Sequence, residues 1–238
     1  MEFKGKTALV TGASRGLGFE LAQLLAQRGA NLVIAARHKA ALEAVAARCS
    51  RHTDVVALAL DVSEGAEAIV DAGCRRFGGI DLLVNNASEL GPSPMPPLAS
   101  LPWRSLEHIL RVNVTAPLHL TQLVLPSMRR NGAGTIVNVS SDAGVNAYPG
   151  WGGYGASKAA LEHISRTLSA ELEATGIRVI VVDPGDMDTQ MHRDAEPGVD
   201  LSHLAEPRTV AAAILRLLED DSIQSGRFEA QNLANAVH

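Results

Sequence analysis

Residues 6–29, KTALVTGASRGLGFELAQLLAQRG, decide the fold of this chain. The apolar run 6–11 predicts a strand, and the apolar spacing from Phe19 predicts a helix that ends at Gly29. The glycine-rich turn TGASRGLG, residues 11–18, joins them. Glycines let a pyrophosphate approach the backbone, and the N-terminus of the next helix contributes N–H donors and partial positive charge. This order of strand, turn and helix predicts a dinucleotide-binding site.

Beyond this unit, strand and helix patterns alternate along the whole chain. Further strands are predicted at 31–36, 55–60, 80–84, 135–139, 177–182 and 226–230. Helices are predicted at 38–51, 64–77, 103–130, 154–174 and 208–218, and we expect Pro117 and Pro126 to bend the long third one. The alternation predicts an α/β fold: a Rossmann-type, doubly wound parallel sheet of about seven strands with helices on both faces, forming one domain over 1–238.

The composition excludes several classes of protein. The chain has 238 residues, 46% of them hydrophobic, and a formal net charge of −5, which argues against a nucleic-acid-binding surface. No stretch approaches the ~20 apolar residues of a membrane span. Cys49 and Cys74 form no CxxC motif, and no HExxH motif or Cys/His cluster suggests a metal. With an N-terminus that enters a strand almost at once, these features predict a cytoplasmic protein with reduced thiols.

Two arginines bear on which dinucleotide is bound. An Asp or Glu about 20 residues after the glycines typically binds the adenosine ribose 2′-hydroxyl. That place holds Ala35, Ala36 and Arg37, and no carboxylate occurs from Asn31 to Ala41. Arg37 and Arg15 could together bind a 2′-phosphate, although either could also be an ordinary surface residue. The pair favours NADP(H) over NAD(H).

A second constellation lies in GVNAYPGWGGYGASK, residues 144–158. Tyr154 and Lys158 are four residues apart at the start of a predicted helix, so their side chains share one face. A nearby cation stabilises a phenolate and lowers the pKa of a tyrosine, which makes Tyr154 a candidate general acid/base. Such a pair can also be a plain solvated helix pair. Ser140 and Ser141 end the preceding strand, and a hydroxyl there could bind the same substrate oxygen.

Other positions after strand ends remain open to two interpretations. Asp61, followed by Val62, could meet an adenine amino group or simply cap a helix. Asn113, inside the long helix, could be solvated or could hold a water where the helix is deformed. The Pro-rich loop 89–102 is predicted to border the cleft, and the polar segment 186–206 to form a mobile substrate lid. The candidate substrate-wall residues are Trp103, Trp151, Met187, Met191 and His192.

These motifs, in this order and spacing, resemble the compact branch of the short-chain dehydrogenase/reductase family. The segments that carry the resemblance are TGASRGLG (11–18), DV (61–62), NNA (85–87), Asn113, NVSS (138–141), YGASK (154–158) and PG (184–185). The resemblance implies catalytic roles for Ser141, Tyr154, Lys158 and Asn113. It implies cofactor contacts from Gly12, Ser14, Arg15, Gly16, Leu17, Gly18, Arg37, Asp61, Val62, Asn86, Ala87, Tyr154, Lys158, Pro184, Gly185 and Thr189.

The family pattern further implies an NADP(H)-dependent carbonyl reductase or alcohol dehydrogenase. Hydride would pass between the nicotinamide and a ketone or secondary alcohol, with Tyr154 as general acid/base and Asn113 placing a water near Lys158. The resemblance also implies a homodimer or homotetramer. The alternatives are a non-catalytic dinucleotide-binding sensor or scaffold, and an epimerase or dehydratase that retains its cofactor.

Two features depart from the family pattern. Ser88 replaces the usual glycine after NNA, which we expect to alter that turn without touching a reacting group. The C-terminal end, QSGRFEAQNLANAVH, lacks the GG-ending tail of the fatty-acid ketoreductase branch and argues against an acyl-carrier substrate.

Overall fold

The computed structural model describes residues 1–235, in which seven strands form a single parallel sheet. The strands are β1 (Thr7–Thr11), β2 (Asn31–Ala35), β3 (Val55–Leu58), β4 (Leu82–Asn85), β5 (Gly134–Val139), β6 (Ile177–Asp183) and β7 (Gly226–Glu229). Their order across the sheet is β3-β2-β1-β4-β5-β6-β7, so the winding reverses between β1 and β4. Ligands bind in open α/β sheets at such a reversal. The Rossmann-type parallel sheet predicted from the sequence is confirmed.

Helices cover both faces of this sheet. They are α1 (Gly16–Gln27), α2 (Lys39–Cys49), α3 (Ala66–Phe77), α4 (Trp103–Leu110), α5 (Ala116–Asn131), α6 (Gly152–Glu171), α7 (Gln190–Ala195), α8 (Pro207–Glu219) and α9 (Ala230–Asn235). Leu21 of α1 and Ile214 of α8 pack in one apolar core, and Ile69 of α3 and Leu120 of α5 in the other. Strands buried on both faces are typical of a parallel sheet. None of the helices within residues 1–235 is long and apolar enough to cross a membrane.

The long helix predicted at 103–130 is interrupted, and the interruption is not at a proline. A π-helical segment, Arg111–Thr115, separates α4 from α5. Pro117 lies in the first turn of α5, where a missing N–H costs little, and Pro126 lies inside that helix. The π segment centred on Asn113 therefore interrupts the helix before Pro117, while the bends expected at Pro117 and Pro126 stay a prediction. Such segments are frequent at functional sites.

The segment predicted to be a lid is folded over the sheet's carboxyl edge. Met187 and Ala205 form a β-bridge, and α7 lies between them with Thr189 as its N-cap. The Ser93 hydroxyl of the Pro-rich loop donates to the Asp194 carbonyl at 2.6 Å. These contacts join the two segments that were expected to border the cleft, while the mobility of the lid stays a prediction. Of the atypical C-terminal end, residues 236–238 lie outside the described residues.

Candidate active site

A cleft at the carboxyl edge of the sheet brings most of the predicted site residues together. Its wall includes Gly12, Ser14, Arg15, Gly16, Leu17, Arg37, Asp61, Val62, Asn86, Ala87, Ser141, Tyr154, Lys158, Pro184, Gly185 and Thr189. Gly18 and Asn113 are buried behind this wall. The segments that supply the wall follow β1, β2, β3, β4, β5 and β6, because parallel strands end at the same edge.

The glycine-rich turn forms a shallow cradle that suits a pyrophosphate. Gly12 and Gly16 have φ of +65° and +56°, a conformation that L side chains rarely adopt. The Asn86 amide donates to the Thr11 carbonyl at 2.9 Å and holds the turn from behind. No side chain within residues 1–235 caps the N-terminus of α1, so its first N–H groups remain available to an anion. The residues present therefore fit a dinucleotide.

Gly18 supports this cradle without facing the cleft. A β-carbon at Gly18 would lie 2.5 Å from the Gly12 carbonyl oxygen and would also overlap the Asn86 amide. We expect Gly18→Val to lower the free energy of unfolding by about 2–3 kcal/mol, because the overlap is with backbone that cannot move aside. Urea unfolding measures this loss. Gly5→Ala is the control: Gly5 has a φ of +75° with open space around it, so only about 1 kcal/mol of backbone strain is expected there. Equal losses in the two variants would contradict this packing role.

The adenosine end of the cleft carries mixed charge. Arg15 and Arg37 are both exposed on its wall, and the Arg37 guanidinium lies 3.6 Å from the Glu89 carboxylate. Asp61 accepts from the Ser63 N–H at 2.8 Å and from the Ser63 hydroxyl at 2.7 Å, so it caps the local turn. Asp61 also lines the cleft. Burial opposes ionisation of Asp61, but these hydrogen bonds, with Arg37, hold its pKa below the ordinary value. A 2′-phosphate would thus compete with Glu89 for Arg37.

Tyr154 and Lys158 lie side by side on the first turns of α6. Both are buried, with 8% and 2% of their surface exposed. The Lys158 ammonium is 5.3 Å from the centroid of the Tyr154 ring and donates to the Val139 carbonyl at 2.8 Å. Trp151 packs edge-on against Tyr154, with 5.7 Å between the ring centroids. The helix therefore presents the phenol, the ammonium and an indole in one corner of the cleft.

Burial shifts the ionisation of both groups toward their neutral forms. It raises the pKa of the Tyr154 phenol above its ordinary value, as do Asp183 and Asp142, whereas hydrogen bonding to Ser88 and Ser141 opposes the rise. It lowers the pKa of Lys158 to about 8, against the opposing effect of the Glu162 carboxylate. A lowered pKa was expected for Tyr154 beside Lys158; the net shift is upward instead, because desolvation of the phenolate outweighs the groups that stabilise it. Tyr154 thus holds its proton at neutral pH.

The two adjacent serines have separate roles. Ser141 Oγ donates to the Asp142 carboxylate at 3.0 Å and accepts from the Ala143 N–H at 3.2 Å. Ser140 is 1% exposed, and its hydroxyl donates to Glu162 at 2.6 Å. The Ser140 hydroxyl is thus held inside the fold, while the half-buried Ser141 hydroxyl lies in the cleft wall that also holds Tyr154.

The Asn113 side chain holds the loop after β4, and all of its hydrogen-bonding groups have partners. Its oxygen accepts from the Glu89 N–H at 2.7 Å and the Ser88 hydroxyl at 3.2 Å. Its amide nitrogen donates to the Glu89 carbonyl and to Ser157 Oγ, both at 2.9 Å. Ser88 was expected to touch no reacting group, but its hydroxyl lies close enough to Tyr154 to lower the pKa of that phenol against the effect of burial. The signal was the hydroxyl itself, at a position where the family pattern has glycine.

Four of the five candidate substrate-wall residues lie in the cleft. Trp151, Met187, Met191 and His192 line it, whereas Trp103 is 64% exposed and lies outside it. Trp103 is the first residue of α4, and its indole stacks under the Arg104 guanidinium outside the cleft. In the described chain, 1–235, no group of three or more His, Cys, Asp or Glu side chains could hold a metal ion.

A buried charge cluster beneath the site was missed by sequence reasoning. Arg227 of β7 donates to the Glu162 carboxylate at 3.1 Å and to Asp183 at 2.8 Å. Glu162 also accepts from Ser140, so the cluster joins the ends of β5 and β6 to α6. One signal was available, since Glu162 follows Lys158 by four residues on one helix face. Nothing in the local sequence indicates that Arg227 is its partner.

Comparison with known proteins places this geometry in a family. A family model described as "short chain dehydrogenase" matches residues 6–200. A 3-oxoacyl-[acyl-carrier-protein] reductase from Vibrio cholerae is 31% identical, with 93% of each chain covered.

Solved structures give the same result. A short chain dehydrogenase from Escherichia coli CFT073, complexed with NADPH, superposes with a TM-score of 0.87 at 31% identity, covering 97% of this chain and 98% of that one. An NAD⁺-bound xylitol dehydrogenase superposes with a TM-score of 0.86 at 27% identity, covering 96% and 98%. These neighbours hold either dinucleotide, and their names differ in substrate. The fold, the cleft and the matches together establish that this chain belongs to the short-chain dehydrogenase family of NAD(P)-dependent oxidoreductases.

Proposed function

We propose that this protein is an NADP(H)-dependent carbonyl reductase, which in reverse acts as an alcohol dehydrogenase on secondary alcohols. The observation that carries the proposal is the buried Tyr154 phenol in the wall of the cleft, with the Lys158 ammonium 5.3 Å from its ring and Ser141 in the same wall. A protonated phenol is a general acid, and reduction of a ketone requires a proton on the substrate oxygen. The bound dinucleotide would supply the hydride.

The chain's own residues divide the remaining work. Tyr154 gives its proton to the substrate oxygen, and Ser141 donates a hydrogen bond to the same oxygen as charge develops there. Lys158 faces the ring of Tyr154 and stabilises the phenolate that proton donation leaves behind. An ammonium has three donors, and Val139 takes one, so the others can bind the ribose hydroxyls of the nicotinamide half.

Asn113 has a different role in this proposal from the one that the resemblance implied. Its side-chain oxygen and nitrogen are both occupied by Ser88, Glu89 and Ser157. We therefore assign to the Asn113 side chain the positioning of Ser88 beside Tyr154. A water near Lys158 would have to be held by the backbone of the π segment Arg111–Thr115.

The preference for NADP(H) is testable at the two arginines of the adenosine end. Arg15→Gln and Arg37→Gln should each weaken NADPH binding about tenfold, because each removes a charge-assisted contact with the 2′-phosphate. NADH binding should change little. Glu89→Gln should strengthen NADPH binding, since it frees Arg37 from its ion pair. Calorimetric titration with both dinucleotides measures these changes, and parallel losses for NADPH and NADH would show that the arginines do not discriminate.

The pH dependence should differ between the two directions of the reaction. Lys158 is an ammonium below a pKa of about 8 and neutral above it. Ketone reduction should therefore slow as the pH rises through about 8, because the charge that stabilises the phenolate is lost. Alcohol oxidation needs Tyr154 as a base, so its rate should rise with pH. The profile of kcat in each direction tests this, and a reduction rate that climbs with pH would contradict the assignment of Tyr154 as the acid.

The proposal extends to the setting of the enzyme. We infer a cytoplasmic enzyme, consistent with the free thiols of Cys49 and Cys74. We also infer a homodimer or homotetramer, as the resemblance implies. Light scattering at micromolar concentration tests the assembly, and a monomeric mass would remove that part of the proposal.

A further inference from the structure

Asp142, the residue after Ser141, places a carboxylate beside the reacting groups. It is half-buried in the wall of the cleft. One of its oxygens accepts from Ser141 Oγ at 3.0 Å, and the other accepts from the Tyr148 hydroxyl at 2.7 Å. Both donors are neutral hydroxyls. Neither donor brings a positive charge to the carboxylate, and Asp142 is one of the groups that raise the pKa of Tyr154.

The surrounding wall neutralises the charge of the Asp142 carboxylate only in part. Within the described part of the wall that follows β4, the basic side chains are Lys158 and His192. Lys158 donates to the Val139 carbonyl, and His192 lies between the carboxylates of Asp186 and Glu196, at 3.8 and 3.6 Å. With Asp183 paired to Arg227, the carboxylates of Asp142 and Asp186 face the single ammonium of Lys158 in this part of the wall, and the excess of negative charge repels anionic substrates and attracts hydrogen-bond donors and cations.

Binding of a ketone changes the hydrogen bonds of Asp142. Ser141 has a single hydroxyl proton, and in the proposed reaction it must be donated to the substrate oxygen. Asp142 then loses the Ser141 donor while its carboxylate remains partly desolvated, which is costly unless another donor takes its place. A hydroxyl or ammonium group on the carbon next to the carbonyl lies about one hydrogen-bond length from the carbonyl oxygen. The Asp142 carboxylate lies at a similar distance from Ser141 Oγ, 3.0 Å, so it can accept from that group while Ser141 donates to the carbonyl oxygen.

We propose that Asp142 selects ketones that carry a hydroxyl or ammonium group on the carbon adjacent to the carbonyl. The inference rests on the carbonyl reduction proposed above and names the substrate class of that site. The two electrons come from the reduced dinucleotide, the proton comes from Tyr154, and the product is a vicinal diol or a vicinal amino alcohol. A carboxylate at the same position is rejected, because it would face Asp142 at hydrogen-bond distance.

A competing explanation is that Asp142 only holds its own loop through Tyr148. Tyr148 is 44% exposed, and its hydroxyl donates to Asp142. Tyr148→Phe removes this bond and leaves the face of Asp142 toward Ser141 intact. If Asp142 binds the substrate, Asp142→Ala should change substrate choice and Tyr148→Phe should not. If Asp142 only holds its loop, the two variants should change substrate choice alike.

The test compares kcat/KM with NADPH for three matched ketones. The probes are 3-hydroxybutan-2-one, 3-methylbutan-2-one, which has a methyl in place of the hydroxyl, and 2-oxopropanoate, which has a carboxylate there. The wild-type protein should prefer the hydroxyl probe over the methyl probe by about tenfold or more, since a site built to bind a donor discriminates strongly against its absence. Asp142→Ala should bring this ratio close to one, Asp142→Asn should accept 2-oxopropanoate better than the wild type, and Tyr148→Phe should keep the wild-type ratio.

The outcomes separate this inference from the proposed function. Equal turnover of the hydroxyl and methyl probes by the wild type, or an unchanged ratio in Asp142→Ala, overturns the role of Asp142 and leaves carbonyl reduction standing. A ratio lost equally in Tyr148→Phe assigns the effect to the loop and also overturns it. Failure to reduce any of the ketones overturns the reductase proposal, and this inference with it.

Discussion

Tyr154→Phe is expected to lower kcat for ketone reduction by about 10³-fold, because the variant loses the phenol proton that is transferred to the substrate oxygen. The ring stays, so its edge-on contact with Trp151 and its packing under Lys158 are kept. The dissociation constant for NADPH should therefore change little. Steady-state kinetics and a parallel binding titration measure the two quantities.

Ser88→Gly is the matched comparison for that variant. It restores the family residue and removes one of the two hydroxyls that lower the pKa of Tyr154. Its kcat should fall far less than that of Tyr154→Phe. If Tyr154→Phe kept near-normal turnover, or if Ser88→Gly lost as much activity as Tyr154→Phe, the phenol would not be the proton donor.

Arg227→Met is expected to lower the free energy of unfolding by about 3 kcal/mol or more, because it removes the cation that two buried carboxylates share, and the exposed Arg166, 3.8 Å from one of them, remains as a weaker partner. Glu162 and Asp183 are the carboxylates, with side chains 4% and 7% exposed. Burial already raises the pKa of Asp183 against the opposing effect of Arg227, so loss of the guanidinium makes its charge still more costly. Chemical unfolding of the intact chain measures the effect.

Two further variants show whether pairing is the cause. Arg227→Met combined with Glu162→Gln should recover part of the loss, since one of the unpaired charges is gone. Arg75→Met removes an arginine whose partner, Asp71, is on the surface, and it should change stability by no more than about 0.5 kcal/mol. A loss in Arg227→Met no larger than that in Arg75→Met would contradict the structural role of the cluster.

The fold could be predicted from the sequence because local patterns determine it. Residues 6–29 predict the first strand, turn and helix, and strands β2 to β6 are short apolar runs, whereas β7 (Gly226–Glu229) has only one large apolar residue. The helix after β4 was predicted as one helix bent at Pro117 and Pro126, because proline is the helix-breaking residue that the sequence shows there. The actual interruption at Arg111–Thr115 is stabilised by Asn113, whose partners Ser88, Glu89 and Ser157 come from distant parts of the chain.

The site was predicted less completely, for a related reason. Motifs located Tyr154, Lys158 and Ser141 in one cleft, since each follows a strand or begins a helix at the same edge of the sheet. The shift in the pKa of Tyr154 was predicted with the wrong sign, because spacing reveals the nearby cation and does not reveal burial. The pairing of Arg227 with Glu162 joins residues 65 apart in the chain, which no local pattern encodes.

The stoichiometry of cofactor use tests the central claim most directly. Purified protein is incubated with NADPH and 3-hydroxybutan-2-one or 3-methylbutan-2-one, and both the dinucleotide and the product are quantified. The account predicts one NADPH oxidised for each secondary alcohol formed, with conversion by Tyr154→Phe slower by about 10³-fold. A substrate that is epimerised or dehydrated while NADPH is returned unchanged would contradict it, as would NADPH that binds while both ketones remain unreduced.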